Sequence, residues 1–186
     1  MNIEVEIKVK VKNLEEIKKK VSKIGNLVKA IKQIDDYYTP SHRNFFTQKP
    51  HPTEFLRIRT NPGKIVFEYD KSINKRADGD HDYAEEYETE ILDKKEFEKI
   101  LGFLDFKKIL TVEKNREYWM CGKIEIALDD VKELGLYVEA EAKGNFKNEK
   151  EAKQECIKFL ENLGIQDVQN TQIKQGYADL LFQKLY

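Results

Sequence analysis

The stretch Ile3-Glu4-Val5-Glu6-Ile7-Lys8-Val9-Lys10 alternates apolar and charged residues without a break. As an extended strand it carries one Ile/Val face and one face of two glutamates followed by two lysines. The arrangement returns late in the chain as Val138-Glu139-Ala140-Glu141-Ala142-Lys143. Carboxylates two residues apart on a strand point the same way, and such oxygen pairs suit a hard cation such as Mg2+, which keeps positions open for water and phosphate. A half-exposed antiparallel strand with a solvated charged face would show the same alternation. The repetition of E-x-E-x-K, and what lies between the two copies, favours the ligand reading.

Asn13, with Glu16 three residues on, marks a helix start; Ile17, Val21 and Ile24 form its apolar stripe and Gly25 is placed to end it. Residues 26–38 read as a long strand ending in Asp35-Asp36-Tyr37-Tyr38, with a parity the sequence leaves open. Residues 39–53 hold three of the four prolines and read as a loop. Phe55-Leu56-Arg57-Ile58-Arg59-Thr60 sets two arginines on one strand face, and Asn61-Pro62-Gly63 turns it into a returning strand over 64–70. A polar loop over 71–82 leads to 83–91, which puts Glu86, Glu88 and Glu90 on one face. Asp93 and Glu96 open a helix with the stripe Phe97, Ile100, Leu101 and Leu104. A strand over 106–119 contains Lys114 and Arg116, and the next alternates Ile124, Ile126 and Leu128 against Glu125, Ala127 and Asp129. Leu134-Gly135 turns into the second E-x-E-x-K strand. Asn148 opens a helix that ends at Gly164, and 171–186 read as a final amphipathic helix.

Eight strands and about four helices without strand–helix–strand alternation predict an α+β fold with a largely antiparallel sheet, in a single domain over 1–186. If the helices cover the apolar strand faces, the charged faces turn toward one another. The expectation is an eight-stranded antiparallel β-barrel, a tunnel with a charged interior and amphipathic helices packed outside, wide enough for a small ligand. Such an interior is costly unless ions and water fill it. A polyphosphate with a divalent metal would do so, since arginines fork onto phosphate oxygens and carboxylates hold the metal.

Composition narrows the partners. Charged residues make up 36% of the chain, yet the formal net charge is −1, which argues against a general nucleic-acid or membrane-surface binder. No apolar run approaches the roughly 18–20 residues of a membrane span. Met1 leads straight into a strand pattern with no visible signal peptide. Cys121 and Cys156 show no metal or redox spacing, and His42, His51 and His81 show no ligand spacing. A cytoplasmic protein with reduced cysteines is expected, as a monomer or homodimer.

The ordered set E-x-E-x-K, D-D-Y-Y (35–38), L-R-I-R (56–59), E-Y-E-x-E (86–90), K-x-R (114–116), D-D-V-x-x-L-G (129–135) and E-x-E (139–141) resembles the CYTH superfamily, the triphosphate tunnel metalloenzymes. The likeness runs from Ile3 to about Lys143 in the family's order. It implies a tunnel that binds a triphosphate and Mg2+ or Mn2+. On that resemblance Glu4, Glu6, Glu139 and Glu141 match the metal-binding acids, with Lys8 beside them at the catalytic centre. Lys8, Arg57, Arg59, Lys114 and Arg116 match the phosphate-binding cations. Asp129 matches an acid beside the metal, and Glu86 and Glu88 match acids of the middle strand, Glu88 as a further metal ligand. One departure stands out: where the family pattern L-T-Y-K has lysine, Phe67-Glu68-Tyr69-Asp70 has aspartate. Lys71 follows one residue late, and reaches the phosphate only if a bulge turns it inward.

Within the family, the Gly79-Asp80-His81 loop and the D-D-V-x-x-L-G turn look most like the class IV adenylyl cyclases, which convert ATP to cyclic AMP and pyrophosphate. The alternatives are a triphosphatase acting on thiamine triphosphate or tripolyphosphate, and a polyphosphate- or nucleotide-binding module without chemistry. Loop 71–82, carrying Lys75, Arg76 and His81, and the terminal helix are expected to close over a bound triphosphate. Tyr37, Tyr38, Trp119 and Tyr177 could stack on a base, although core or rim packing is the favoured reading of such aromatics.

Overall fold

A computed structural model describes residues 5–49, 51–73 and 83–186, and the side chains of all these except Tyr83 and Ala84. Glu4, Lys75, Arg76, Gly79, Asp80 and His81, all named above, lie outside the described residues. The strands are β1 (Glu6–Val11), β2 (Asn26–Pro40), β3 (Glu54–Asn61), β4 (Lys64–Ile73), β5 (Tyr83–Glu90), β6 (Phe106–Cys121), β7 (Ile124–Val131) and β8 (Gly135–Ala142). The helices are α1 (Leu14–Val21), α2 (Lys94–Phe103), α3 (Glu149–Asn162), α4 (Val168–Thr171) and α5 (Tyr177–Leu185), with a 3-10 turn at Phe45–Thr47.

The strands form one sheet in the order β1-β8-β7-β6-β2-β3-β4-β5. This corrects the barrel expectation: β1 and β5 stand at opposite ends of the order, and the sheet does not close into a tunnel. A closed tunnel would shelter charged faces turned toward one another. Many of the charges instead pair with opposite charges along each strand face. Part of the β1 edge is also taken up, because the Ile173 amide donates to the Lys8 carbonyl at 2.7 Å.

The chain groups into two compact units, Met1–Ile31 with Lys114–Lys174, and Lys32–Glu113 with Gln175–Tyr186. In the first, Ile17 and Val21 of α1 and Ala152, Cys156 and Leu160 of α3 are buried, at helical spacing. Ile17, Val21, Cys156 and Leu160 belong with Ile7, Val9, Ile126, Leu128 and Val138, the apolar faces of β1, β7 and β8. Each fully buried side chain of this kind stabilises by about 1.5–3 kcal/mol. Asn13 and Asn148 cap α1 and α3 as their spacing predicts, Asn13 accepting from the Glu15 and Glu16 amides and Asn148 from Glu151. Lys20 Nζ donates to the Leu163 carbonyl at 2.6 Å and ties α1 to the end of α3. Gly25 does not end α1, which stops at Val21. Its role is close approach, since a Cβ there would sit 2.3 Å from Cys121 Sγ.

In the second unit Leu56 and Ile58 of β3 pack with Tyr38, Phe45 and Leu101, with Phe67 and Phe97 beside them. Asp36 anchors α2 and β6 to this face. It takes Lys94 Nζ and Thr111 Oγ1 at 2.5 Å each and lies 3.3 Å from Lys108 Nζ. The terminal helix expected over 171–186 is shorter: α4 ends at Thr171, and α5 starts only at Tyr177. Gln172 leaves helical geometry, and the next residue's amide is spent on β1. Among the described residues no helix is long and apolar enough to cross a membrane.

Candidate functional site

Register places the sequence-predicted residues into two clusters, one in each unit. In the first, β1, β8 and β7 align Glu6 with Glu141 and Glu141 with Glu125, then Lys8 with Glu139 and Glu139 with Ala127, then Lys10 with Tyr137 and Tyr137 with Asp129. β6 brings Arg116 opposite Asp129 and Tyr118 opposite Ala127. Residues directly opposite one another in an antiparallel pair share a face, so these side chains form one charged surface. Arg116 binds Asp129 with two nitrogens, Nε at 2.6 Å from Oδ1 and Nη2 on Oδ2, and Nη2 also contacts Glu139. Burial works against the Arg116 charge, but Glu139 and Asp129 hold its pKa well above the usual value. Lys114 Nζ is 3.7 Å from Asp129, and Lys8 Nζ is 3.8 Å from Glu139 and 3.9 Å from Glu6. Asp129, expected beside a metal, is fully buried between cations.

Among the described residues no three His, Cys, Asp or Glu side chains are arranged to hold a metal ion. The donor chemistry nevertheless fits a hard dication. Glu6, Glu125, Glu139 and Glu141 line a cavity of ≈ 30 Å³ together with Arg116, Tyr118 and Ala127, room for a water-sized occupant. The Glu6 carboxyl is pushed up to about 7 by burial and by the Glu139 charge, with Lys8 and Arg116 pulling it down and Glu141 adding to the rise. Its side chain keeps 46% of its surface accessible, so the crowding falls on its inner side. Carboxylates pressed together until one holds a proton near neutrality are what a cation relieves. A larger hollow, ≈ 530 Å³, lies by the start of α1 among Leu14, Lys18, Asn115, Glu117 and Asp130. Asn115, Glu117 and Asp130 are on the opposite strand parity from Arg116 and Asp129, and Arg116 also lines this hollow.

In the second unit β2 and β3 align Asp35 with Arg59 and Tyr37 with Arg57, and β4 brings Glu68 opposite Arg57. This settles the parity of β2: Asp35 and Tyr37 face the arginines, while Asp36 and Tyr38 face α2. Arg59 reaches Asp35 with Nε at 2.9 Å and Nη2 at 3.2 Å, and its Nη1 lies 3.3 Å from Glu68. Arg57 contacts Glu68, donates to the Tyr37 hydroxyl at 3.0 Å and lies 3.7 Å from Asp70. Gln33 Nε2 also donates to Asp35, at 2.9 Å. The β3–β4 register runs unbroken from Asn61↔Lys64 to Glu54↔Lys71, so no bulge turns Lys71 inward. Lys71 shares its face with Glu54 and Tyr69, and the structure does not bring it to the arginines. Glu88 and Glu86 lie opposite Glu68 and Asp70 on exposed β5.

Asp35, Glu68 and Glu125 join these surfaces without having been singled out from sequence. Alternation marks Glu68 and Glu125 as polar-face residues, whereas Asp35 needed the β2 parity. Of the aromatic candidates, Tyr38 and Trp119 are core residues hydrogen-bonded to Glu98 and Glu117, Tyr177 is buried in α5, and Tyr37 stands beside Arg57.

The fold and these charged strand faces define a CYTH protein, and the CYTH domain model matches residues 2–177: the chain belongs to that family. It is 32% identical over 180 residues to a Methanocaldococcus jannaschii protein provisionally named an adenylate cyclase, covering 96% of this chain and 98% of that one. The PH1819 protein of Pyrococcus horikoshii OT3 shares the fold with a TM-score of 0.76 and 28% identity, covering 98% of this chain and 99% of that one. A Hippeastrum protein described as having a dominant triphosphatase activity shares the fold at 15% identity and a TM-score of 0.64, covering 98% of this chain and 96% of that one.

Proposed function

We propose that this chain is a divalent-metal-dependent enzyme acting on a triphosphate, with conversion of ATP to cyclic AMP and pyrophosphate as the leading reaction. The observation that carries the reading is the row of Glu6, Glu141 and Glu125 in register beside Lys8, Glu139 and Arg116, lining a water-sized cavity. Glu6, Glu139 and Glu141 would hold Mg2+ or Mn2+ together with Glu4. Bound there, the cation would supply charge neutralisation to the phosphates. Lys8, Lys114 and Arg116, and separately Arg57 and Arg59, would bind phosphoryl oxygens, because nucleotidyl and phosphoryl transfer depend on positioning and charge neutralisation. Cyclisation would take the ribose 3′-hydroxyl onto the α-phosphorus. The name given to the Methanocaldococcus jannaschii relative favours cyclisation, and hydrolysis of the terminal phosphate of thiamine triphosphate or tripolyphosphate is the second reading.

Incubating the protein with Mg2+ or Mn2+ and each of ATP, thiamine triphosphate and tripolyphosphate, then identifying products, tests the reading. Cyclic AMP with pyrophosphate supports the cyclase, and inorganic phosphate supports the triphosphatase. Turnover of none of the three, with the protein folded, refutes both. Glu6→Gln is expected to abolish turnover without unfolding the chain.

A further inference from the structure

In the arginine cluster of the second unit, carboxylates outnumber guanidiniums. Arg57 and Arg59 face Asp35, Glu68 and Asp70, which leaves one net negative charge when all are ionised. The three acids are not held alike. Asp35 accepts from Arg59 twice and from Gln33, and Glu68, 1% exposed, is clasped by Arg57 and Arg59. Asp70 offers Arg57 one oxygen at 3.7 Å, beyond hydrogen-bond reach, and its other oxygen is buried with no hydrogen-bond partner. Arg57 Nε is buried without an acceptor as well. Burial raises the Asp70 pKa, Arg57 and Arg59 pull it back, and Glu88 and Asp35 add to the rise. Asp70 is thus the least bound acid of the cluster, and it stands beside the guanidinium with a donor to spare. It also occupies the position where the family pattern has lysine.

We infer that Asp70 is an internal counter-anion that competes with phosphoryl oxygens for Arg57 and so sets the affinity of this cluster for polyphosphate. This rests on the reading that Arg57 binds phosphate. A ligand phosphate supplies the short charge-assisted bonds that Asp70 leaves unmade, and must do so against the fixed charge of that carboxylate. Removing the charge lowers the negative field at Arg57, which keeps its bonds to Glu68 and Tyr37, and removes no hydrogen bond, because the Asp70 side chain makes none that an amide of the same shape would lose.

The test is calorimetric titration of inorganic tripolyphosphate into the full chain, as wild type, Asp70→Asn, Asp70→Lys and Arg57→Ala, with folding of each checked by circular dichroism. The expectation is that Asp70→Asn binds at least tenfold tighter than wild type, a change of about 1.4 kcal/mol. Asp70→Lys should bind tighter still with a steeper salt dependence, and Arg57→Ala should lose binding. Asp70 variants within threefold of wild type, or weaker, would overturn the inference while an Arg57→Ala loss leaves the phosphate reading standing. Absence of binding in both wild type and Asp70→Asn would overturn the phosphate reading and the inference together.

Discussion

Replacing Arg116 by methionine tests how the charged face of the first unit is held. The change keeps an unbranched stem and deletes a guanidinium that is 12% exposed and shared between Asp129, 0% exposed, and Glu139, 7% exposed. Lys114 stands 3.7 Å from Asp129 and Lys8 stands 3.8 Å from Glu139, both longer than a hydrogen bond. Breaking a buried ion pair by removing one partner costs about 3–5 kcal/mol, because the other charge stays buried. The two lysines offset part of this, so the expected loss is about 3 kcal/mol, read from urea unfolding at neutral pH. Adding Asp129→Asn to Arg116→Met should restore at least about 1 kcal/mol by removing the stranded charge. An Arg116→Met protein within about 0.5 kcal/mol of wild type, the range of ordinary surface substitutions, would show that the cluster does not hold the face together.

Three further expectations follow from the same geometry. Burial would raise the Asp36 pKa, but its bonds from Lys94 and Thr111 and the charges of Lys94 and Lys108 outweigh that and lower it. Its stabilising contribution is complete above the unfolded aspartate value near about 3.9 and is lost as pH falls through the lower folded value; Asp36→Asn should flatten the urea midpoint over that acid range, and an unchanged pH profile would refute the assignment. A Glu6 carboxyl that titrates at about 7 must lose its proton to hold a cation. Mn2+ affinity measured by calorimetry should accordingly rise from about pH 6 to about pH 8, and a pH-independent affinity would count against Glu6 as a ligand. Gly25→Ala would place a methyl 2.3 Å from Cys121 Sγ and 2.8 Å from the Met120 carbonyl. It should cost about 1–3 kcal/mol in thermal or urea unfolding, and a neutral result would mean that the two strands yield there.

Much of this protein was legible along the chain because strand alternation is a local property. The eight strands, the asparagine and aspartate caps of α1, α2 and α3, and the shared faces of Glu6 with Lys8, Arg57 with Arg59, and Glu139 with Glu141 follow from period-two patterning and cap chemistry. Tertiary structure decided what local pattern could not. Pairing register, which depends on partners far away in sequence, set the parity of β2, put Asp35 against Arg59, and kept Lys71 away from Arg57. A long-range hydrogen bond from Ile173 to β1 accompanies the break in a helix that the amphipathic pattern alone would continue. The closed tunnel failed for a related reason. Alternation shows that a face is charged, but whether those charges need an enclosure depends on which ones meet. Here Arg116 meets Asp129 and Glu139, and Arg57 and Arg59 meet Asp35 and Glu68, so these charges pair where they stand, in a sheet that does not close.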